Sequence, residues 1–126
     1  GKMLLAHLPP AALDDYLRQT PLNGFTEKTI TDADALRRVL RTAREDDYAS
    51  TRDELDYGIV SLAVPVRAGT PEVIGAINCS TSTSRIDPDS MVETRLEPLR
   101  SAARAIEIEL QRYPALVHSI RARAAA

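Results

Sequence analysis

The chain has 126 residues, a length that fits one domain with one hydrophobic core. Its 16 basic and 18 acidic residues are mixed along the sequence and give a net charge of −2, which argues against a nucleic-acid-binding surface in this segment. The single cysteine, Cys79, excludes an intramolecular disulfide and a zinc site built from cysteines. A single cysteine fits the reducing cytoplasm, where we expect the protein to be, and without a run of about 18 apolar residues no segment is predicted to span a membrane.

Three helices are predicted in the first part of the chain. A short helix begins at Met3 and ends before Pro9, and a second helix follows the prolines. Residues 20–30 are predicted to form a loop, after which Thr31 or Asp32 caps the third helix. The apolar stripe of this third helix has helical spacing and consists of Leu36, Val39, Leu40 and Ala43.

The middle of the chain changes to the period-2 alternation of β-strands. Residues 48–53 are predicted to form a short strand, and residues 59–66 and 72–80 two longer ones. The two longer strands are separated by a turn of about five residues, so we expect them to pair as an antiparallel hairpin.

The last predicted element is a long helix. Asp87 and Pro88 are a typical helix start, and the apolar spacing continues to about Arg112. Pro114 follows the helix, and we expect the tail 121–126 to be frayed. The element order predicts an α+β fold with an antiparallel sheet, helices packed on one face and a long C-terminal helix. Two or three strands are few for this many helices, so we expect further strands upstream of this segment.

Alternation also separates two faces of the predicted hairpin. One face is apolar or small and carries Cys79 among Val60, Leu62, Val64, Val66, Val73, Gly75 and Ile77. The other face brings Ser61, Asn78 and Ser80 together among small residues such as Ala63 and Ala76. A few short polar groups in an apolar setting are typical of a ligand pocket, although a strand end that meets solvent would look similar.

Catalytic motifs are weak in this sequence. Cys79 could act as a nucleophile only with a nearby base, and core packing is the more common role of a single cysteine. Asp53 and Glu54 could do acid–base chemistry, line the rim of a pocket or belong to a solvated turn. The sequence contains no phosphate-binding glycine loop and no histidine pair at metal-ligand spacing, so we expect no cofactor and no metal, and the protein is not predicted to be an enzyme.

Several segments, in the same order, resemble the effector-binding domain of the IclR family of bacterial transcription regulators. They cover most of the chain, up to the end of the long helix with its internal Pro98, and they are GKMLLAHLP (1–9), TEKTITDADALRRVLRTAREDDYA (26–49), DELDYGIVSLAVPVR (53–67), VIGAINCS (73–80) and RIDPDSMVETRLEPLRSAARAIE (85–107). The TITD and SLAVPV segments look most like the subgroup that controls aromatic-acid breakdown through the β-ketoadipate pathway.

The resemblance implies that residues 1–126 are the later portion of a GAF-like effector-binding domain. The first strands of that domain and a DNA-binding winged helix-turn-helix domain would lie upstream. A small organic acid would bind on the concave face of the sheet at Ser61, Asn78 and Ser80, with Asp53 and Glu54 as a possible rim. The protein would form a homodimer or homotetramer and contact DNA only through the upstream domain. The alternatives are a ligand-free oligomerisation module, or a small enzyme that uses Cys79 or the Asp53/Glu54 pair.

Overall fold

The structure is a computed structural model that describes residues 1–125. Its elements, in chain order, are α1 (Lys2–Ala6), α2 (Pro10–Gln19), α3 (Ala33–Asp46), β1 (Ala49–Arg52), β2 (Ile59–Arg67), β3 (Val73–Ser82), α4 (Pro88–Leu110) and α5 (Pro114–Ala125). Among the described residues, no helix combines the length and the apolar character needed to cross a membrane.

Helix α3 begins where the sequence predicts. The Asp32 side chain accepts a hydrogen bond of 2.7 Å from the backbone N–H of Ala35, which satisfies one of the free donors of the first turn. The helix ends at Asp47, whose backbone is left-handed with a φ of 58°. Of the two candidate caps, Thr31 and Asp32, the structure therefore selects Asp32.

The three strands form one antiparallel sheet in the order β1-β2-β3, and residues 68–72 connect β2 to β3 as the predicted hairpin. Pro65 lies inside β2, an unusual place for a residue without an N–H. Strand β1 begins at Ala49, which pairs with Ala63, so at Pro65 strand β2 has a hydrogen-bonded neighbour on one side only.

Helix α4 covers one face of the sheet. Val60, Leu62 and Val64 are almost fully buried and pack with residues of α4, among them Met91 and Ala103. The α+β class, the antiparallel sheet and the packing of a long helix on one face are thus confirmed. In addition, α1 and α3 pack against part of the opposite face, where Ala49, Ala63 and Ala76 join a core cluster with Met3, Ala6, Leu36, Leu40 and Ala43.

The C-terminal region differs from the sequence prediction. The segment after Pro114 forms helix α5 through Ala125, whereas the sequence predicted that the chain from residue 121 would be frayed. Proline is well suited to the first position of a helix because a backbone N–H at that position would have no partner within the helix. Val117 is buried, and Arg121 bonds to the β2–β3 loop, so tertiary contacts hold α5 in place. Ala126, the last residue of the predicted tail, lies outside the described residues.

Candidate functional site

The three polar residues predicted on the outer face of the hairpin lie together. In the sheet register Ser61 is opposite Ser80, and Ala63 is opposite Asn78. The Oγ atoms of Ser61 and Ser80 are 2.7 Å apart, and Asn78 Nδ2 donates to Ser80 Oγ at 3.1 Å. Ser61 is half-buried, whereas Asn78 and Ser80 are exposed in the described part of the chain. We call Ser61, Asn78 and Ser80 the polar cluster.

Strand β1 adds a hydroxyl that the sequence analysis missed. Thr51 is paired with Ser61, so Thr51, Ser61 and Ser80 form one row across all three strands. Residues paired across neighbouring strands point to the same face of a sheet, which places Thr51 beside the polar cluster. Its position follows from the register of β1 against β2, which side-chain alternation alone does not give.

Asp53 and Glu54, the predicted rim residues, have structural contacts in the β1–β2 turn. Asp53 has a φ of 58°, and its carboxylate accepts a hydrogen bond of 2.7 Å from the N–H of Gly58. Both carboxylate oxygens of Glu54 accept from Lys2 Nζ, at 2.6 and 2.9 Å, and this ion pair is largely shielded from solvent. The backbone N–H of Asp53 donates to Ile59, so the turn adjoins the row that contains Ser61. A role at the rim of a pocket stays a prediction.

Cys79 lies on the opposite face from the polar cluster. It is paired with Leu62 and packs against the cluster that contains Val60, Leu62 and Met91, as the alternation predicts. His7, one possible base, is instead 3.3 Å from the carboxylate of Asp47. Within residues 1–125 no group of three or more histidine, cysteine, aspartate or glutamate side chains is placed to hold a metal ion.

A junction of charged residues lies at the ends of α1, α3 and β2. Both carboxylate oxygens of Asp47 accept hydrogen bonds of 2.9 Å from the guanidinium of Arg67. These bonds hold the pKa of Asp47 below its usual range. Burial lowers the pKa of His7, and the charge of Arg67 acts in the same direction while Asp47 opposes it. The backbone N–H of Arg67 also donates to Glu107 of α4 at 2.6 Å.

Comparison with known proteins identifies the family. Residues 1–108 match the family model described as the C-terminal domain of the bacterial transcriptional regulator IclR. The chain belongs to the IclR family. It is 31% identical over 103 residues to the p-hydroxybenzoate hydroxylase transcriptional activator of Acinetobacter baylyi. This alignment covers 82% of this chain and 38% of that protein. It is also 36% identical over 115 residues to the regulator XynR of Escherichia coli, and this alignment covers 91% of this chain and 45% of that protein.

Solved structures of IclR-family proteins have the same fold. A transcriptional regulator from Rhodococcus superposes with a TM-score of 0.83 at 33% identity, over 87% of this chain and 45% of that one. A double mutant of the PobR inducer-binding domain from Acinetobacter, in complex with 3-hydroxybenzoic acid, superposes with a TM-score of 0.81 at 29% identity, over 84% of this chain and 62% of that one. The chain therefore spans less than half the length of the full regulators and about two thirds of the PobR domain.

Proposed function

We propose that this chain is the effector-sensing part of a cytoplasmic IclR-family transcription regulator and that the polar cluster binds a small organic acid. The observation that carries the proposal is the position of Ser61, Asn78 and Ser80. They are hydrogen-bonded to one another on the sheet face opposite α4, next to the small side chains of Ala63 and Ala76. The family membership supports the class of function, and the hydrogen-bonded cluster supports the proposed place of binding.

The hydrogen bonds of the cluster leave donors for an acid. Ser61 and Ser80 together carry two hydroxyl protons, and only one is used in the bond between their Oγ atoms. If Ser61 donates to Ser80, then the Ser80 proton is free, and the reverse holds for the opposite direction. Asn78 uses one of its two amide protons on Ser80. One hydroxyl proton and one amide proton therefore remain, enough to meet the two oxygens of one carboxylate, and hydrogen bonds to a charged acceptor are the stronger kind.

The relatives support an aromatic acid as the effector. The PobR inducer-binding domain was solved with 3-hydroxybenzoic acid, and the A. baylyi activator is named for p-hydroxybenzoate hydroxylase. Ala63 and Ala76 pack against the core cluster that contains Met3 and Ala6 of α1, so we place the ring of the acid away from α1, over the exposed Asn78 and Ser80. Because Asn78 and Ser80 are exposed in this chain, we propose that the rest of the pocket wall comes from upstream strands of the domain, with Asp53 and Glu54 at the rim.

Effector binding would act on DNA through oligomer geometry. We propose that residues 1–126 are the later portion of the effector domain, that a winged helix-turn-helix domain upstream contacts DNA, and that the protein works as a homodimer or homotetramer. An acid changes DNA affinity only if it binds one arrangement of the subunits more tightly than the other.

Isothermal titration calorimetry of the intact protein tests the site. The acids are 3-hydroxybenzoate, 4-hydroxybenzoate, protocatechuate and β-ketoadipate, each titrated into the wild type and into Ser61→Ala, Asn78→Ala and the exposed control Ser101→Ala. Losing one hydrogen bond to a carboxylate costs about 1.5–3 kcal/mol, so the first two variants should bind about 10- to 150-fold more weakly. Ser101→Ala should bind like the wild type. Absence of binding by all four acids, or equal binding by all variants, would refute the proposed site.

A further inference from the structure

A second concave feature lies between α1, the beginning of β3 and α5. It has a volume of about 260 Å³. Its walls are mainly apolar and include Leu4 and Leu8 from the α1 segment, Ile74 of β3 and Ile120 of α5. Leu4 is 47% exposed, so the cavity opens to solvent beside α1.

Three polar side chains, His7, Glu72 and Arg121, complete the lining. Arg121 Nε is 2.9 Å from a carboxylate oxygen of Glu72, and Arg121 Nη2 donates to Thr70 at 2.9 Å. Arg121 Nε and His7 Nε2 are both buried, and each lies near a carboxylate, that of Glu72 at 2.9 Å and that of Asp47 at 3.3 Å, but neither contact among the described residues has the geometry of a hydrogen bond. Buried polar atoms of this kind are rare in folded proteins, and a bound water or ligand is a common explanation.

We propose that this cavity is a second small-molecule site. It binds an uncharged molecule that has about the size of one substituted ring and carries one polar group. The volume fits this class, since an apolar cavity of about 150 Å³ holds benzene and 260 Å³ leaves room for a substituted ring. The charges of Glu72 and Arg121 cancel, and burial favours the neutral form of His7. A carboxylate would enter this lining without a free counter-charge, which is unfavourable.

The cavity is separate from the polar cluster. Ile74 precedes Asn78 by four residues on β3, a separation of about 13 Å along a strand. Between them Ala76 packs into the core cluster that contains Met3 and Ala6 of α1. Helix α5, which supplies Ile120, begins after residue 108, where the match to the family model ends. This site therefore depends on a segment that the family model does not include.

Methyl NMR of the intact protein tests the site with p-cresol as the probe. Saturable shifts are expected at Leu4, Ile74 and Ile120. Toluene, which lacks the polar group, and 4-hydroxybenzoate, which is charged, should each bind this cavity more weakly than p-cresol. Ile120→Trp should fill the cavity and weaken p-cresol binding about tenfold or more, whereas Ile108→Trp, at a position on α4 that is 62% exposed, should not.

Control variants separate this site from the effector site. If Ile120→Trp does not fold, Leu4→Trp fills the cavity from the α1 side. Ser61→Ala should leave p-cresol binding unchanged, so p-cresol can bind even if the acid effector proposal fails. Three results would each overturn the inference: no methyl shifts at all, shifts confined to the methyl groups of Thr51 and Ala63 beside the polar cluster, or equal weakening by Ile108→Trp and the cavity-filling variants.

Discussion

Replacing Asp47 separates two contributions to stability that coincide at one residue. The carboxylate binds the Arg67 guanidinium through two hydrogen bonds of 2.9 Å, and the backbone has a φ of 58°. Asparagine removes the charge but tolerates the left-handed backbone, glycine removes the side chain and adopts this backbone easily, and alanine loses the ion pair and strains the backbone.

The expected magnitudes follow from exposure and backbone geometry. The side chain of Asp47 is 42% exposed, so solvent screens the ion pair and its contribution to the free energy of unfolding is about 1 kcal/mol. A left-handed backbone costs alanine about 1–2 kcal/mol more. Asp47→Asn and Asp47→Gly should therefore each destabilise the protein by about 1 kcal/mol, and Asp47→Ala by about 2–3 kcal/mol.

Urea unfolding followed by circular dichroism measures these differences, and thermal unfolding should show the same order, at about 3–4 °C for each kcal/mol. Equal destabilisation by all three variants would show that the backbone of residue 47 contributes nothing. An unchanged Asp47→Asn variant would show that the ion pair with Arg67 contributes nothing. Either result would refute the account of this junction.

Three further predictions concern the core, a histidine and the cysteine. Leu62 is 0% exposed and Leu55 is 70% exposed, so Leu62→Ala should lower the free energy of unfolding by about 2–5 kcal/mol and Leu55→Ala by less than about 0.5 kcal/mol, as measured in urea; similar losses would contradict the assigned core. Burial lowers the pKa of His7, so the unfolded state binds the proton more tightly than the folded state does. The contribution of His7 to the free energy of unfolding is therefore present above pH 6.5 and should decline as the pH falls below that value. His7→Gln should reduce this decline in urea midpoints and the exposed His118→Gln should not; the reverse pattern would refute the assignment. Cys79 packs under α4, so its reaction with a thiol reagent should be slow in the native protein and fast in urea, and rapid native reaction would revive the enzyme alternative.

The sequence predicted the features that depend on local patterns. Side-chain alternation is fixed by strand geometry, so it placed Ser61, Asn78 and Ser80 on one face and Cys79 on the other before the register was known. The cap at Asp32 likewise depends on a contact three residues away. The hydrogen bonds within the polar cluster required one further fact, the pairing of Ser61 with Ser80. This pairing depends on a register shift between Val66 and Arg67, because the loop-closing pair Arg67–Val73 alone would place Ser61 opposite Cys79.

The features that were missed depend on contacts between distant parts of the chain. The Asp47–Arg67 pair joins the end of α3 to the end of β2, and no spacing rule connects a helix terminus with a strand terminus 20 residues later. The position of Thr51 beside the polar cluster could be known only from the register of β1 against β2. Helix α5 depends on the packing of Val117 and on bonds from Arg121, so a frayed tail was the natural prediction from composition alone.

Helix α1 links the charged contacts to the polar face of the sheet. It has five residues, too few for a helix to be stable by itself, so its position is set by its contacts. Lys2 at its start binds Glu54, and His7 at its end lies 3.3 Å from Asp47. Between these ends α1 packs near Ala76, whose small side chain permits the close approach. Ala76 lies under α1 whereas Asn78 and Ser80 are exposed, so the floor of the proposed effector site begins beside α1. The buried side chains of Met3 and Ala6, together with the ionic contacts at its two ends, hold α1 at that boundary.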